Sequence, residues 1–161
     1  MNQVFKSLTT RQDIDLVPYI KDYLSNNRNA KIYIGCDSQN AGSRTLYATV
    51  VVLYTPTKGG HVLFCKEEIV RHKFVKQNSK TEIEFQRLWA EVEKSLAVAE
   101  HLKEAGIKKP EFIDVDINPD PRYKSNTMLR SALGYVESLG YAVRCKPYAF
   151  AASYAADNLC H

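Results

Sequence analysis

The chain is predicted to be an α/β domain built on a five-stranded mixed sheet, and three observations in the sequence point there. First, three apolar, β-branched or aromatic runs follow one another closely: Lys31–Asp37, Leu46–Thr55 and His61–Val70. Second, a long stretch from about Thr81 to Glu104 repeats Phe85, Leu88, Trp89, Val92 and Leu96 at helical spacing. Third, strand-like and helix-like segments alternate from there to the end, which favours parallel additions to a sheet. After a short N-terminal helix the order is β-β-β-α-β-α-β-α, a single domain over residues 1–161.

Each element has a local cause. Asp15 is placed to cap a first helix to about Ser25, with Pro18 tolerated in its opening turn. The polar run Asn26–Asn29 ends that helix, and Lys31–Asp37 follows as a buried strand, with Asp37 standing where the apolar run stops. Asn40–Ser43 reads as a turn and Thr57–Gly60 as a hairpin connection, so the first three strands make an antiparallel meander. The long helix starts at Ser79 or Thr81, carries Glu82 and Glu84 near its positive end, and stops at Gly106. Glu84 and Glu91 lie seven residues apart along one edge of its apolar stripe. Glu111–Ile117 alternates around Asp114 and Asp116, which sets both carboxylates on one face, as a half-exposed strand would. Ser125 caps the next helix, which buries Met128, Leu129, Ala132, Leu133 and Val136 and ends at Gly140; Tyr141–Cys145 is the fifth strand. A small-residue helix from Phe150 to about Asn158 closes the chain.

Composition limits the function classes. With 161 residues, 45% hydrophobic and 25% charged, the chain has the makings of one ordinary globular core. No apolar run approaches the roughly 20 residues of a membrane span, and Met1–Lys6 lacks the pattern of a signal peptide. The four cysteines form no Cys-x-x-Cys pair, which fits free buried thiols in a reducing cytoplasm. Cys160-His161 is a poor chelate, being two adjacent residues at the end of the sequence. The net charge of +4 permits a polyanionic partner without requiring one. Arg71–Lys80, with Arg71, His72, Lys73, Lys76 and Lys80 and no opposing acid, is either a solvated loop or a phosphate-attracting rim.

Acids fall at Asp37, on the long helix at Glu84 and Glu91, at Asp116 and on the last helix at Asp157. Brought together, such carboxylates repel one another, and a hard divalent cation relieves the repulsion. The order of elements and these acids resemble the ribonuclease H-like superfamily and, more narrowly, the YkuK-type bacterial family. The match is carried by Ile34-Gly35-Cys36-Asp37-Ser38-Gln39, by Asp116, by Gly134-Tyr135 with Gly140, and by Lys146-Pro147 with Phe150, Ala152 and Ser153. The resemblance implies a two-metal site, with Mg²⁺ or Mn²⁺, that hydrolyses phosphodiesters of RNA, an RNA/DNA hybrid or structured DNA. In that site Asp37 bridges both ions, Asp116 binds one, and Asp157 takes the fourth-acid role. The helix acid stays open between Glu84 and Glu91, with Glu91 narrowly preferred. Ser38 and Gln39 are candidates to orient Asp37 or touch substrate, and Lys73, Lys76 and Lys146 to hold phosphates.

Two competing readings accompany the nuclease. A nucleic-acid-binding module that keeps the fold without catalysis is compatible with the unsettled helix acid and the basic loop. An actin-like phosphotransferase also ends its first strand in aspartate. That class needs two such domains and Gly-rich phosphate loops, and seven glycines with no such loop argue against it here. No serine or cysteine nucleophile stands beside a partnered histidine, and His61, His72 and His101 read as surface or packing residues.

Overall fold

A computed structural model describes residues 3–70, 80–117 and 126–160. Its elements are β1 (Phe5–Ser7), β2 (Asp13–Ile14), α1 (Leu16–Asn26), β3 (Lys31–Ala41), β4 (Arg44–Thr55) and β5 (Gly59–Val70), followed by α2 (Lys80–Glu104), β6 (Phe112–Val115), α3 (Asn126–Ser138) and β7 (Val143–Cys145). A π-helical turn, Ala151–Ala156, runs into the short α4, Asp157–Cys160. The mixed α/β class is as the sequence predicts, and the sheet is larger by two strands. Its order is β2-β1-β5-β4-β3-β6-β7.

The meander β3-β4-β5 is antiparallel throughout, from Lys31↔Tyr54 to Ala41↔Arg44 and from Arg44↔Val70 to Thr55↔Gly59. β6 adds parallel to β3 and β7 parallel to β6. The two extra strands were missed because each is too short to show a period. Only Phe5, fully buried, marks β1 as part of the core. A second correction concerns β3. The strand is expected to end at Asp37 and a turn to span Asn40–Ser43, yet residues 38–41 continue the strand to Ala41, because each finds a partner on β4. The turn proper narrows to Gly42-Ser43, with Gly42 at φ 58°.

Two cores lie on opposite faces of the sheet. On one, Ile32, Ile34, Val51 and Leu53 pack with Val92, Leu96 and Ala99 of α2 and Ile20 of α1. On the other, Tyr33, Val50 and Val52 pack against Ala151, Ala156 and Leu159 of the closing segment. The two-residue period of β3 divides its side chains between these faces. Asp15 stands at the N-cap of α1 in extended conformation and makes no side-chain cap bond, contrary to its expected capping role. α2 ends in the way its glycine predicts: Gly106, at φ 75°, donates to Lys103 O at 2.9 Å, and Ile107 donates to Leu102 O at 2.9 Å. Gly140 ends α3 by the same pair of bonds, to Glu137 and from Tyr141 to Val136. The expected caps Ser79 and Ser125, the burial of Met128 and Leu129, and His72 lie outside what is described.

Candidate functional site

Parallel pairing of β3 with β6 ends at Cys36↔Val115, so Asp37 and Asp116 are the residues that follow the last pair of that ladder on each side. Both belong to the face covered by the closing segment. Asp37 is mid-strand rather than at a strand end; what ends there is the parallel ladder. This is the carboxyl-end position at which open α/β sheets hold ligands.

The long helix supplies the third acid. Glu91, 6% exposed, reaches the same place from α2, and Ser38 Oγ donates to its Oε1 at 2.5 Å. Asp37, Glu91 and Asp116 line one open pocket of about 230 Å³, together with Glu84, Arg87, Leu88 and Ile117. The side chains feel one another. Burial pushes the Glu91 carboxyl up to about 8, against a hydrogen bond from Ser38 that lowers it, and the charges of Asp37 and Asp116 add to the rise. Asp37 is also raised, first by burial and then by Asp116 and Asp157. Asp157 therefore lies within electrostatic reach of Asp37, from the first turn of α4.

Cations stand at the edges of the pocket. Lys146 Nζ is 2.9 Å from Asp116 Oδ1, and Ser153 Oγ donates to the same oxygen at 2.5 Å. Arg87 Nε lies 3.8 Å from Glu91 Oε1, too far for a hydrogen bond, and this buried atom has no hydrogen-bond partner. Lys146, a candidate to hold a phosphate, pairs here with an acid, Asp116. Ser38 is buried and serves both acids: its hydroxyl donates to Glu91, and its backbone N–H donates to Asp37, which lowers that carboxyl against the rise from burial. Gln39 lies one residue further along β3, opposite Leu46. Lys73 and Lys76, with the rest of the basic run 71–79, lie outside the described residues.

Sequence reasoning missed Arg87 and the depth of Asp114. Arg87 sits one turn before Glu91, an i,i+4 spacing that could have flagged it. Asp114, expected on a half-exposed strand, is 1% exposed. Arg144 Nε and Nη2 donate to its two oxygens at 2.8 and 2.7 Å, and Ala151 N–H donates at 2.7 Å. That bidentate pair fixes β6, β7 and the closing segment to one another. It leaves Asp116, two residues on, as the acid that borders the pocket.

Oxygen donors on three separate elements suit a hard cation such as Mg²⁺ or Mn²⁺ in kind. In their present placement, no three His, Cys, Asp or Glu among the described residues stand close enough to grip one ion. A cation on Asp116 Oδ1 competes there with the Lys146 ammonium and the Ser153 hydroxyl. No helix among the described residues is long and apolar enough to cross a membrane. No curated protein matches the chain. A family model described as ribonuclease H-like matches residues 15–161, which takes in α1, the meander, α2 and the whole acid pocket. With so much of the chain covered, the protein belongs to the ribonuclease H-like family.

Proposed function

We propose that the pocket hydrolyses phosphodiester bonds of a nucleic acid with the help of a divalent cation. The observation that carries this reading is the meeting of Asp37, Glu91 and Asp116, from β3, α2 and β6, in one open concavity whose wall also holds an unsatisfied Arg87 Nε. Acids raised by burial and by one another favour a cation between them, and an orphaned guanidinium donor favours an anion beside them. A phosphodiester with its metal ion satisfies both.

The residues divide the work by position. Asp37 and Asp116, each at the end of the parallel ladder, are the preferred cation ligands, with Glu91 and Asp157 completing the set and Glu84 at its margin. A bound Mg²⁺ or Mn²⁺ would supply electrophilic stabilisation of phosphoryl oxygens. Glu91, its carboxyl pushed up to about 8 by burial, holds a proton near neutral pH and would give it up to solvent if a cation were bound beside it. Arg87 offers its free Nε hydrogen to a phosphate oxygen, and Lys146, freed from Asp116, offers a second positive contact. Ser38 keeps the Glu91 carboxyl aimed into the pocket.

A labelled RNA, an RNA/DNA hybrid and a branched DNA incubated with Mg²⁺ or Mn²⁺ test the reading. Cleavage of at least one is expected, with Asp37→Asn reducing it about 100-fold or more, the scale on which loss of an electrostatic anchor acts. Cleavage that continues in excess chelator contradicts it. A second reading, binding without turnover, is favoured by the Lys146–Asp116 pair, which already neutralises one acid. Salt-sensitive binding with no cleavage under any divalent ion selects it.

A further inference from the structure

The sheet face that carries Asp37 holds a second concavity at its other end. Tyr33, four residues before Asp37 on β3, lines a cavity of about 610 Å³ with Tyr54, Phe150, Tyr154, Arg11 and Asn158. Its volume lies within the range of small-ligand sites. It shares no lining residue with the acid pocket. The closing segment stands between them, placing Ser153 on Asp116 and the next residue, Tyr154, in the cavity.

The inner wall is held rigidly. Tyr33 and Phe150 rings meet at 4.6 Å, and the Arg144 guanidinium lies 4.9 Å from the first ring and 4.5 Å from the second. Arg144 is itself locked to the buried Asp114 carboxylate. The rim is aromatic and open: Tyr154 is 65% exposed and Tyr54 39%. Exposed rings beside a preformed apolar wall are a stacking platform.

Arg11 decides what kind of ring belongs there. It lines this cavity and also an adjoining groove of about 860 Å³, where Lys6 and Lys66 stand. Its guanidinium lies 5.4 Å from the Phe64 ring centroid, and it forms no ion pair among the described residues. Lys6 has only a loose, exposed contact with Asp13 at 3.4 Å, worth little in water. The acid of that groove, Glu67, is already taken up by Lys94 and Gln3. An apolar peptide or a lipid chain would leave these cations unmatched. A ligand with a flat aromatic part and a phosphate a few ångströms away matches both.

We propose that this end of the sheet binds single-stranded nucleic acid, one base seated in the cavity beside Tyr54 and Tyr154 and its phosphate in the groove of Arg11, Lys6 and Lys66. The site is independent of hydrolysis at the acid pocket, so it is tested with chelator present. Fluorescence anisotropy of a labelled ten-nucleotide single strand at low salt, with the full chain, is the measurement. Tyr154→Ala and Arg11→Gln are each expected to weaken binding about 10-fold, Tyr154→Phe to preserve it, and Lys66→Ala to lower the slope of log K against log salt by about one. Melting curves check that each variant is folded. Folded Tyr154→Ala and Arg11→Gln proteins that bind like the wild type overturn the proposal, as does displacement of the strand by adenosine monophosphate at equal nucleotide concentration.

Discussion

Glu91 is the residue whose chemistry is most altered by the fold. The folded chain holds its proton to about pH 8, while an ordinary glutamate releases it near 4.5. Between those values the native state binds more protons than the unfolded chain, so stability is full below about 4.5 and falls as pH rises through about 8. Glu91→Gln keeps an acceptor for Ser38 and removes the charge. Urea denaturation should find it equal to wild type at pH 5 and more stable by about 2 kcal/mol at pH 8, part of what such a shift represents. A gap that does not change with pH contradicts this account of the pocket. Burial raises the Asp114 carboxyl too, but there the hydrogen bonds from Arg144 and Ala151 meet the buried charge and oppose the rise. Arg144→Ala strands that charge and is expected to cost about 3–5 kcal/mol by the same method; a loss under 1 kcal/mol contradicts it. Alternation in Glu111–Ile117 placed Asp114 and Asp116 on one face but could not rank them. Their difference comes from Arg144, thirty residues away in sequence. Asp37 was legible because the apolar run before it stops there. Glu91 was only half legible, since nothing in a helical period distinguishes it from Glu84.

At the scale of elements, what was legible followed from length. β4 and β5, each of 12 residues, and α2, of 25, give many repeats of their period, and their observed bounds differ from the expected ones by no more than two residues. β1 and β2, of 3 and 2 residues, offer none. β3 was cut short because Ser38, Gln39 and Asn40 resemble turn residues when read alone; the hydrogen bonds that hold them extended come from β4. The closing segment was expected as one helix from Phe150 to about Asn158, and six of its residues, Ala151–Ala156, are π-helical. Helix ends were easier, because glycine announces them chemically. Gly106 sits at φ 75° with open space where a Cβ would go, so Gly106→Ala tests backbone strain alone. It is expected to cost about 1–2 kcal/mol in thermal unfolding, the penalty of a left-handed alanine. An unchanged melting point contradicts the C-terminal cap.

The whole molecule turns a linear order of acids into one site. The antiparallel meander puts β3 at its inner edge, the crossover through α2 brings β6 beside it in parallel, and their shared register sets Asp37 next to Asp116. α2 then returns Glu91 to the same end from the opposite face, and α4 sets Asp157 within reach of Asp37. The acids, their order and the elements carrying them were readable. The cations among them were not, since Arg87 and Lys146 have ordinary sequence surroundings and gain meaning only from the packing. If the pocket is built for a divalent ion, the ion competes with Lys146 for Asp116 Oδ1. In a crystal soaked in Mn²⁺ and measured at the manganese edge, an anomalous peak is expected between Asp37 and Asp116 with the Lys146 ammonium moved off Asp116 Oδ1; a pocket without manganese, Lys146 still on Asp116, would contradict a cation site there.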